Sequence, residues 1–237
     1  MLRGRIEVFS KTLITALVAT SILLSIDPVF GTEFKIATLD SDEARPVARR
    51  TKILYETIGH SAKVSFLPAR RSLAEVNAGR RDAEMARIAG LEKEYPNLVR
   101  VPEPIYFTTY SAVVRKDSGI ESTSWGDLKS QKIARAMGIQ ILRIRTRDYM
   151  VEAVPSPKSI VKMVERGRVN VGLMLTSDAE RFVAPNGELK ILKPQIEDTV
   201  LYHYVHKRHV KIVPALDKAL KEMRKDGLLG AHYIYAF

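Results

Sequence analysis

Val76–Met85, VNAGRRDAEM, shares its pattern with Val164–Met174, VERGRVNVGLM. Each segment reads as the end of a helix, a Gly, an Arg, a variable residue, an Asp or Asn, and then a strand. The matching glycines, Gly79 and Gly167, can adopt the left-handed conformation that ends a helix. The sequence therefore predicts two α/β units of similar design, one around each segment.

The elements before the first segment extend this pattern. Apolar spacing predicts, in order, the strand Phe34–Leu39, the helix Arg45–Ile58, the strand Lys63–Leu67, the helix Ser72–Ala78 and the strand Ala83–Ile88. We expect Ser72 to cap its helix, with Glu75 as the reciprocal partner. The order β-α-β-α-β predicts a largely parallel sheet covered by helices.

The second unit and its connections follow the same logic. Around the second segment, the sequence predicts the strands Lys132–Ala136 and Val151–Val154 and the helix Ser159–Arg166. Two β-branched and aromatic runs, Ile105–Arg115 and Val200–His206, are long enough to cross between two lobes. The helix Val213–Met223 is expected to be the final helix of the fold. Two crossing strands make a hinge, and a small ligand would bind in the cleft beside it.

Composition excludes several classes of protein. The 237 residues are 46% apolar and contain no cysteine, which excludes disulfide-stapled miniproteins, iron–sulfur clusters and cysteine-ligated zinc. The formal charge of +11 suggests a nucleic-acid partner. The basic residues, however, form scattered doublets such as Arg70-Arg71 and Arg80-Arg81, without interleaved aromatic residues. We therefore expect no nucleic-acid partner.

The N-terminal segment predicts export. Arg3, Arg5 and Lys11 precede fifteen uncharged residues, Thr12–Ile26, which is too short a run to span a bilayer but typical of a signal peptide. We expect a signal peptide over residues 1–31, cleaved after Gly31, and a periplasmic protein without stable membrane insertion. An uncleaved anchor is the alternative. No Cys follows the apolar run, so the protein is not expected to be a lipoprotein.

Four stretches carry a family resemblance. They are LPARRSLAEVNAGRRDAEMARI (Leu67–Ile88), YPNLVRVPEPIYF (Tyr95–Phe107), SWGDLKSQKIARAMGI (Ser124–Ile139) and ALDKALKEMRKDGLL (Ala215–Leu229). In order and spacing they resemble the type 2 periplasmic solute-binding proteins, and more narrowly the extracellular solute-binding proteins of family 3, the amino-acid ABC transporter type. The resemblance covers nearly the whole chain after the signal peptide.

The resemblance implies a fold and an organisation. The fold is α/β and two-lobed, each lobe a mostly parallel sheet flanked by helices, with two crossing hinge strands. Lobe 1 would comprise residues 32–113 and 201–237, and lobe 2 residues 114–200. Such a protein is not an enzyme and needs no cofactor. Its partners would be a small solute, anionic or zwitterionic, and an inner-membrane ABC permease or a sensor protein.

One departure bears on the ligand. The amino-acid binders usually carry Thr-x-x-Arg after a strand of the first lobe, and that Arg holds the α-carboxylate of the ligand. The corresponding stretch here is GLEKEYPNL (Gly90–Leu98), which has no Arg. Arg87 is the nearest substitute, so the resemblance implies the fold and leaves the ligand open.

Six residues are candidates for ligand binding, and most have a second interpretation. Arg87 ends a strand and would hold a carboxylate through two hydrogen bonds, or form a structural ion pair. Arg71 is a second candidate cation. Asp40 would receive an ammonium group, or serve its own loop. Tyr106 would wall the cleft, or simply pack.

The other two candidates lie in the second unit. Gly138 follows a strand where backbone amides can face an anion. Thr176, with Ser177, follows the strand VGLML and offers hydroxyl groups.

Other chemistry is not supported by the sequence. His203, His206 and His209 are spaced so that neighbours three apart face opposite sides of a strand, which argues against a metal site. There is no nucleophile elbow, phosphate loop or HExxH motif. Two alternatives to transport remain open, an exported signalling module and a dehydratase-like enzyme of the same fold.

Overall fold

The computed structural model describes residues 31–183 and 187–229. The expected signal peptide lies outside the described residues, apart from Gly31. Across the described ranges, no helix combines the length and the apolar character needed to cross a membrane.

The described residues form nine strands and seven α-helices. The strands are β1 Glu33–Leu39, β2 Ser61–Leu67, β3 Ala83–Arg87, β4 Leu98–Arg115, β5 Ile133–Ala136, β6 Val151–Val154, β7 Val171–Leu175, β8 Leu189–Ile191 and β9 Glu197–His206. The helices are α1 Ala44–Thr57, α2 Ala69–Asn77, α3 Trp125–Leu128, α4 Gln140–Arg145, α5 Pro157–Glu165, α6 Thr176–Val183 and α7 Val213–Lys225. Short 3-10 segments lie at Leu91–Lys93 and Lys207–Ile212.

The strands pair in the order β2-β1-β3-β9-β4-β7-β5-β6, with β8 paired to β4. β1 is parallel to β2 and β3, and β5 is parallel to β6 and β7. β4 and β9 are antiparallel to each other and to their neighbours β7 and β3. Two parallel α/β units joined by two antiparallel crossing strands are thus present, and the expected fold class is confirmed.

Two separate cores divide the molecule into lobes. The first lobe packs β1 to β3, α1, α2 and α7 around residues such as Ile36, Leu54 and Leu216. The second lobe packs β5 to β8 and α3 to α6 around residues such as Ile133 and Leu173. β4 and β9 contribute to both lobes. The lobe boundaries at 113/114 and 200/201 stay a prediction, and part of β4 before that boundary, from Tyr110, already packs in the second core.

The repeated segments adopt the same local structure in both lobes. Gly79 and Gly167 have φ angles of +72° and +64°, the left-handed conformation predicted to end α2 and α5. A short turn then feeds β3 in the first lobe and β7 in the second.

The residue after each turn ties two strands together. The Asp82 and Asn170 backbone N–H groups donate to the carbonyl oxygens of Lys35 and Lys132, at 2.8 Å in both lobes. The side chains of Asp82 and Asn170 accept hydrogen bonds from the backbone N–H groups of Lys35 (2.7 Å) and Lys132 (3.2 Å), respectively. The prediction of two units of one design is therefore confirmed at the level of individual hydrogen bonds.

One capping prediction is wrong. α2 begins at Ala69, after Pro68, so Ser72 lies inside the helix. Its buried hydroxyl donates to the carboxylate of Glu84 rather than capping a backbone amide. Glu75 forms an ion pair with Arg80 at 3.0 Å instead of serving a capping box.

The crossing strands begin earlier than expected. β4 begins at Leu98 and β9 at Glu197. The pairing between them shifts register on both sides of Pro104. Because proline cannot donate to a sheet, irregular pairing allows the strand to continue through it.

Candidate functional site

A cavity lies where the two lobes meet. The space open to the centre of a water-sized sphere is about 70 Å³. Its aliphatic lining residues include Leu39, Val47, Ile88, Ile139, Ile141 and Leu175. Its polar lining residues include Glu43, Arg87, Tyr106, Tyr110 and Gln140. The walls are therefore apolar, with a carboxylate and a guanidinium among them.

The position of the cavity follows from the sheet. The carboxyl ends of the parallel strands β1, β3 and β5 meet there, through Leu39, Arg87 and Gly138 respectively. Ligands of open α/β sheets bind at such strand ends. Arg87, Tyr106 and Gly138, three of the residues predicted from the sequence, are brought together in the lining.

Arg87 lines the cavity and also forms the structural ion pair considered for it. Its side chain lines the cavity, and the residue is only 6% exposed. Its Nε lies 2.9 Å from Oε1 of Glu84, which is fully buried, and its Nη2 donates to the Ala69 carbonyl at 3.4 Å. Burial raises the pKa of Glu84, while Arg87 and the Ser72 hydroxyl oppose this shift.

Glu43 is a polar residue of the cavity that the sequence reasoning missed. It directly precedes α1. Its Oε2 accepts the Thr108 hydroxyl at 3.0 Å, and its Oε1 accepts the hydroxyl of Ser177 from the second lobe. Burial and the negative charge of Glu43 raise the pKa of Asp178 to about 6. The carboxylate thus links the lobes and sets the electrostatics beside them.

Two tyrosines wall the cavity as neutral phenols. Burial and the charge of Glu43 raise the pKa of Tyr106 to about 12. The same two causes raise the pKa of Tyr110 still further, and the positive charge of Arg87 opposes the shift. Both hydroxyl groups therefore stay protonated at neutral pH.

The backbone at Gly138 lies close to the first lobe. Its φ angle is +80°, and a Cβ placed on it would lie 2.3 Å from the Cβ of Ala69 in the first lobe. A side chain at residue 138 would collide with α2, so only glycine permits this contact.

Two ion pairs also join the lobes. Asp42 pairs with Arg181, and Glu94 pairs with Arg143 at 3.1 Å. All four side chains are at least half exposed, so these pairs contribute little free energy. The lobes are closed on each other through weak polar links and one close backbone approach.

The other predicted site residues lie elsewhere. Asp40 is exposed and pairs with Arg45 at 2.9 Å, and Arg71 is exposed on α2. Thr176 is buried, accepting the Thr109 hydroxyl at 2.7 Å and lying 2.9 Å from Ser111 Oγ. None of Asp40, Arg71 and Thr176 is among the described residues that line the cavity. Thr176 instead ties α6 to the crossing strand β4.

His203 and His209 have separate partners. His203 is buried, with Nδ1 3.0 Å from the Met85 carbonyl and Nε2 2.9 Å from the Tyr55 hydroxyl. A carbonyl only accepts, so Nδ1 carries the proton and Nε2 accepts from Tyr55. Burial lowers the pKa of His203 to about 4, and the ring is neutral. His209 contacts Asp82 at 2.8 Å. Over the described residues, no three His, Asp or Glu side chains are grouped as metal ligands.

Sequence comparison gives one distant relative. No family model matches the chain. An uncharacterized protein of Shewanella oneidensis is 23% identical over 185 residues, which cover 72% of this chain and 68% of that protein.

Comparison with solved structures gives matches that are similar in fold but lower in sequence identity. An ancestral arginine-binding protein bound to arginine matches with a TM-score of 0.67 and 17% identity, covering 84% of this chain and 96% of that one. The amino acid ABC transporter substrate-binding protein AbpA of Streptococcus pneumoniae, bound to L-arginine, matches at 0.65 and 16% over 83% and 91%. A histidine kinase sensor domain similar to periplasmic binding proteins matches at 0.67 and 15% over 83% and 92%. The chain has the type 2 periplasmic-binding fold that its sequence resemblance implied.

Proposed function

We propose that this chain is an exported binding protein that closes around a small polar solute, an amino acid or a small carboxylate, and delivers it to a membrane transporter. One observation carries the proposal. The cavity at the junction of the lobes places a guanidinium, from Arg87, and a carboxylate, from Glu43, in otherwise apolar walls.

The two charged groups suit an anionic or zwitterionic solute. A guanidinium holds a carboxylate through parallel hydrogen bonds, and a carboxylate attracts an ammonium group. Both groups are held by protein contacts, Arg87 by Glu84 and Glu43 by Thr108 and Ser177. Such preorganised groups bind with a smaller entropic cost than mobile side chains.

The size of the cavity favours a small solute. One water needs about 10–15 Å³ of such space, so 70 Å³ corresponds to about five to seven waters. A solute with about that many non-hydrogen atoms, such as a small amino acid, would fit without parting the lobes. A ligand of the size of arginine, which two of the similar structures hold, would require a wider opening.

Hinge motion is the expected route of entry. β4 and β9 connect the lobes, and the ion pairs across the interface are weak. A solute that contacts both lobes would therefore shift the molecule toward the closed form.

A thermal-shift screen over amino acids, small carboxylates and oligopeptides tests the proposal. A solute at about a hundred times its Kd stabilises the folded state by about 2.7 kcal/mol, which raises Tm by roughly 5–10 °C in a chain of this size. Assaying any hit for turnover separates a binding protein from an enzyme of the same fold. A broad library that leaves Tm unchanged would contradict solute binding.

Arg87→Ala and Arg71→Ala form a matched pair of variants. Arg71 is an exposed arginine on α2 that does not belong to the described cavity lining. We expect the ligand-induced rise in Tm to vanish in Arg87→Ala and to persist in Arg71→Ala. Should Arg87→Ala fold poorly, Glu43→Gln tests the same cavity. An unchanged ligand response in both cavity variants would overturn the site.

Export is tested through the N-terminus of the protein. Periplasmic fractions should contain a chain that begins at Thr32, as identified by mass spectrometry. A chain that retains residues 1–31 and stays with membranes would instead support the uncleaved anchor.

A sensor is the second candidate function, favoured by the match to a histidine kinase sensor domain. Deleting the protein distinguishes the two. Loss of uptake of the labelled solute supports transport. Normal uptake with a lost transcriptional response to the solute supports sensing.

A further inference from the structure

A groove separate from the cavity lies on the second lobe, between the sheet edge at β6 and α4 with the turn that follows it. It has a volume of about 630 Å³. Its lining residues are Arg135, Arg143, Ile144, Thr146, Arg147, Tyr149 and Val151. We call it the arginine groove. Within the described residues it shares no lining residue with the cavity between the lobes.

The groove collects positive charge without matching negative charge. Three of its described lining residues are arginines, and none is acidic. Arg143 is partly neutralised by Glu94, at 3.1 Å. Arg135 and Arg147 form no ion pair with any residue that the structure describes.

Arg135 carries a buried donor that the described residues do not satisfy. Its Nε is buried and has no hydrogen-bond partner in the described part of the chain. Its Nη1 donates to the adjacent Ala136 carbonyl at 3.4 Å, which is a long contact. Burial, and then the positive charge of Arg143, lower the pKa of Arg135. An anion in the groove would relieve both costs.

The acidic residues adjacent to the groove in the sequence, Asp148 and Glu152, do not fill this role. Glu152 pairs with Ala134 across β5 and β6, whereas Arg135 pairs with Ala153. Successive residues of a strand face opposite sides, so Glu152 lies on the face away from Arg135. Asp148 is exposed and forms no ion pair within the described ranges.

Apolar side chains flank the arginines. Ile144 lines the groove and is 53% exposed, and Val151 lines it as well. The Tyr149 hydroxyl donates to the Trp125 carbonyl at 2.6 Å, which fixes the ring at the groove. The site therefore offers guanidinium donors beside an apolar rim.

We propose that the arginine groove binds the phosphate group of an anionic ligand, held by the guanidinium groups of Arg135, Arg143 and Arg147. Guanidinium groups match the oxygens of phosphate with paired donors and stay charged. The phosphate can come from a free anion or from a phospholipid headgroup, and the apolar rim would contact only the latter.

Two probes distinguish the sources. Inorganic phosphate is titrated into the full mature protein by calorimetry. Vesicles of phosphatidylglycerol and phosphatidylcholine are compared with vesicles of phosphatidylcholine alone in a sedimentation assay. Binding of phosphate or of the anionic vesicles is expected. Binding to neither overturns the proposal.

Matched double variants locate the binding. Arg135→Gln with Arg147→Gln is expected to weaken binding at least tenfold and to leave the melting curve without phosphate nearly unchanged. Arg49→Gln with Arg168→Gln removes the same charge from exposed positions outside the groove and should weaken binding less than twofold. Equal losses in the two variants would mean non-specific attraction and overturn the groove.

Ile144 reports on the source of the phosphate. Ile144→Ser should weaken the binding of anionic vesicles and leave the affinity for inorganic phosphate unchanged. That result assigns the groove to a membrane surface, and binding of phosphate alone assigns it to a free anion.

Discussion

The strand of the repeated unit carries charge in the first lobe and none in the second. β3 buries Glu84 and Arg87, whereas the matching positions of β7 are Gly172 and Leu175. Both strands are preceded by the same helix end, the same left-handed glycine and the same hydrogen bonds to the next strand. The same backbone arrangement thus surrounds a charged interior in the first lobe and an apolar interior in the second.

The facing helices compensate for this difference. Ser72 of α2 donates to Glu84, while the matching residue of α5, Ile160, packs over Gly172. A long side chain on the strand is paired with a short one on the helix in the first lobe, and the reverse holds in the second. A buried ion pair is weak evidence for stability, so the charges of the first lobe are better explained by the cavity that Arg87 lines.

Breaking the charged pair should have the largest effect. Arg87→Ala leaves Glu84 buried without its cation and should lower the free energy of unfolding by about 3–5 kcal/mol, as measured by urea denaturation. The control is Arg87→Leu combined with Glu84→Leu, which gives the first lobe an apolar interior like that of the second. It should recover most of the loss. Equal destabilisation of the single and double variants would show that lost packing, not the unpaired charge, is the cause.

Crowding the apolar interior should have an intermediate effect. In Gly172→Ala the new Cβ would lie 2.5 Å from Cγ2 of Ile160 and 3.0 Å from Cγ2 of Val164. These branched side chains cannot swing away, so overpacking should cost about 1–3 kcal/mol. Adding Ile160→Ala removes the clash, and the double variant should be more stable than the sum of the single effects implies. Strict additivity would contradict close packing as the cause.

Substituting the residue that follows the glycine turn, Asp82 or Asn170, should have the smallest effect on stability. Asp82 forms an ion pair with Arg208 and contacts His209, whereas Asn170 is exposed. Asp82→Asn should cost about 1 kcal/mol at pH 7, since solvent screens the partly exposed pair. Asn170→Asp keeps the acceptor for Lys132 and should change stability by less than about 0.5 kcal/mol.

The pH dependence of Asp82→Asn checks the cause. Its hydrogen bonds with Arg208, Lys35 and His209 hold the pKa of Asp82 below the ordinary value, against the effect of burial. A carboxyl with a depressed folded pKa stabilises the fold above its unfolded pKa of about 4 and loses that contribution as pH falls further. The deficit of Asp82→Asn should therefore shrink below pH ~4. A deficit that stays constant there would show that the charge of Asp82 is not its source.

Local patterns made the framework predictable. The helix, glycine and strand of each repeat are encoded within about a dozen neighbouring residues, as in Val76–Met85. Features that depend on distant partners were not predictable in this way. Ser72 fits a capping pattern by sequence, but its partner is a buried carboxylate twelve residues away, on another element.

The candidate site shows the same limit. Arg87 ends, Tyr106 begins and Gly138 follows a predicted strand, and the structure brings the three residues to one cavity. Glu43 gave no signal, because its partners Thr108 and Ser177 are 65 and 134 residues away. β4 begins seven residues before the predicted run Ile105–Arg115, because irregular pairing with β9 accommodates Pro104 within the strand.

The glycine at residue 138 would also have a kinetic consequence under the proposed function. Because it has no side chain, the lobes can meet at Ala69, and the dissociation rate of a bound solute would depend on how completely they meet. A methyl group added there would prevent full closure of the lobes and would increase the dissociation rate of the solute. Under the proposed function, the missing Cβ at residue 138 would therefore lengthen the residence time of the solute.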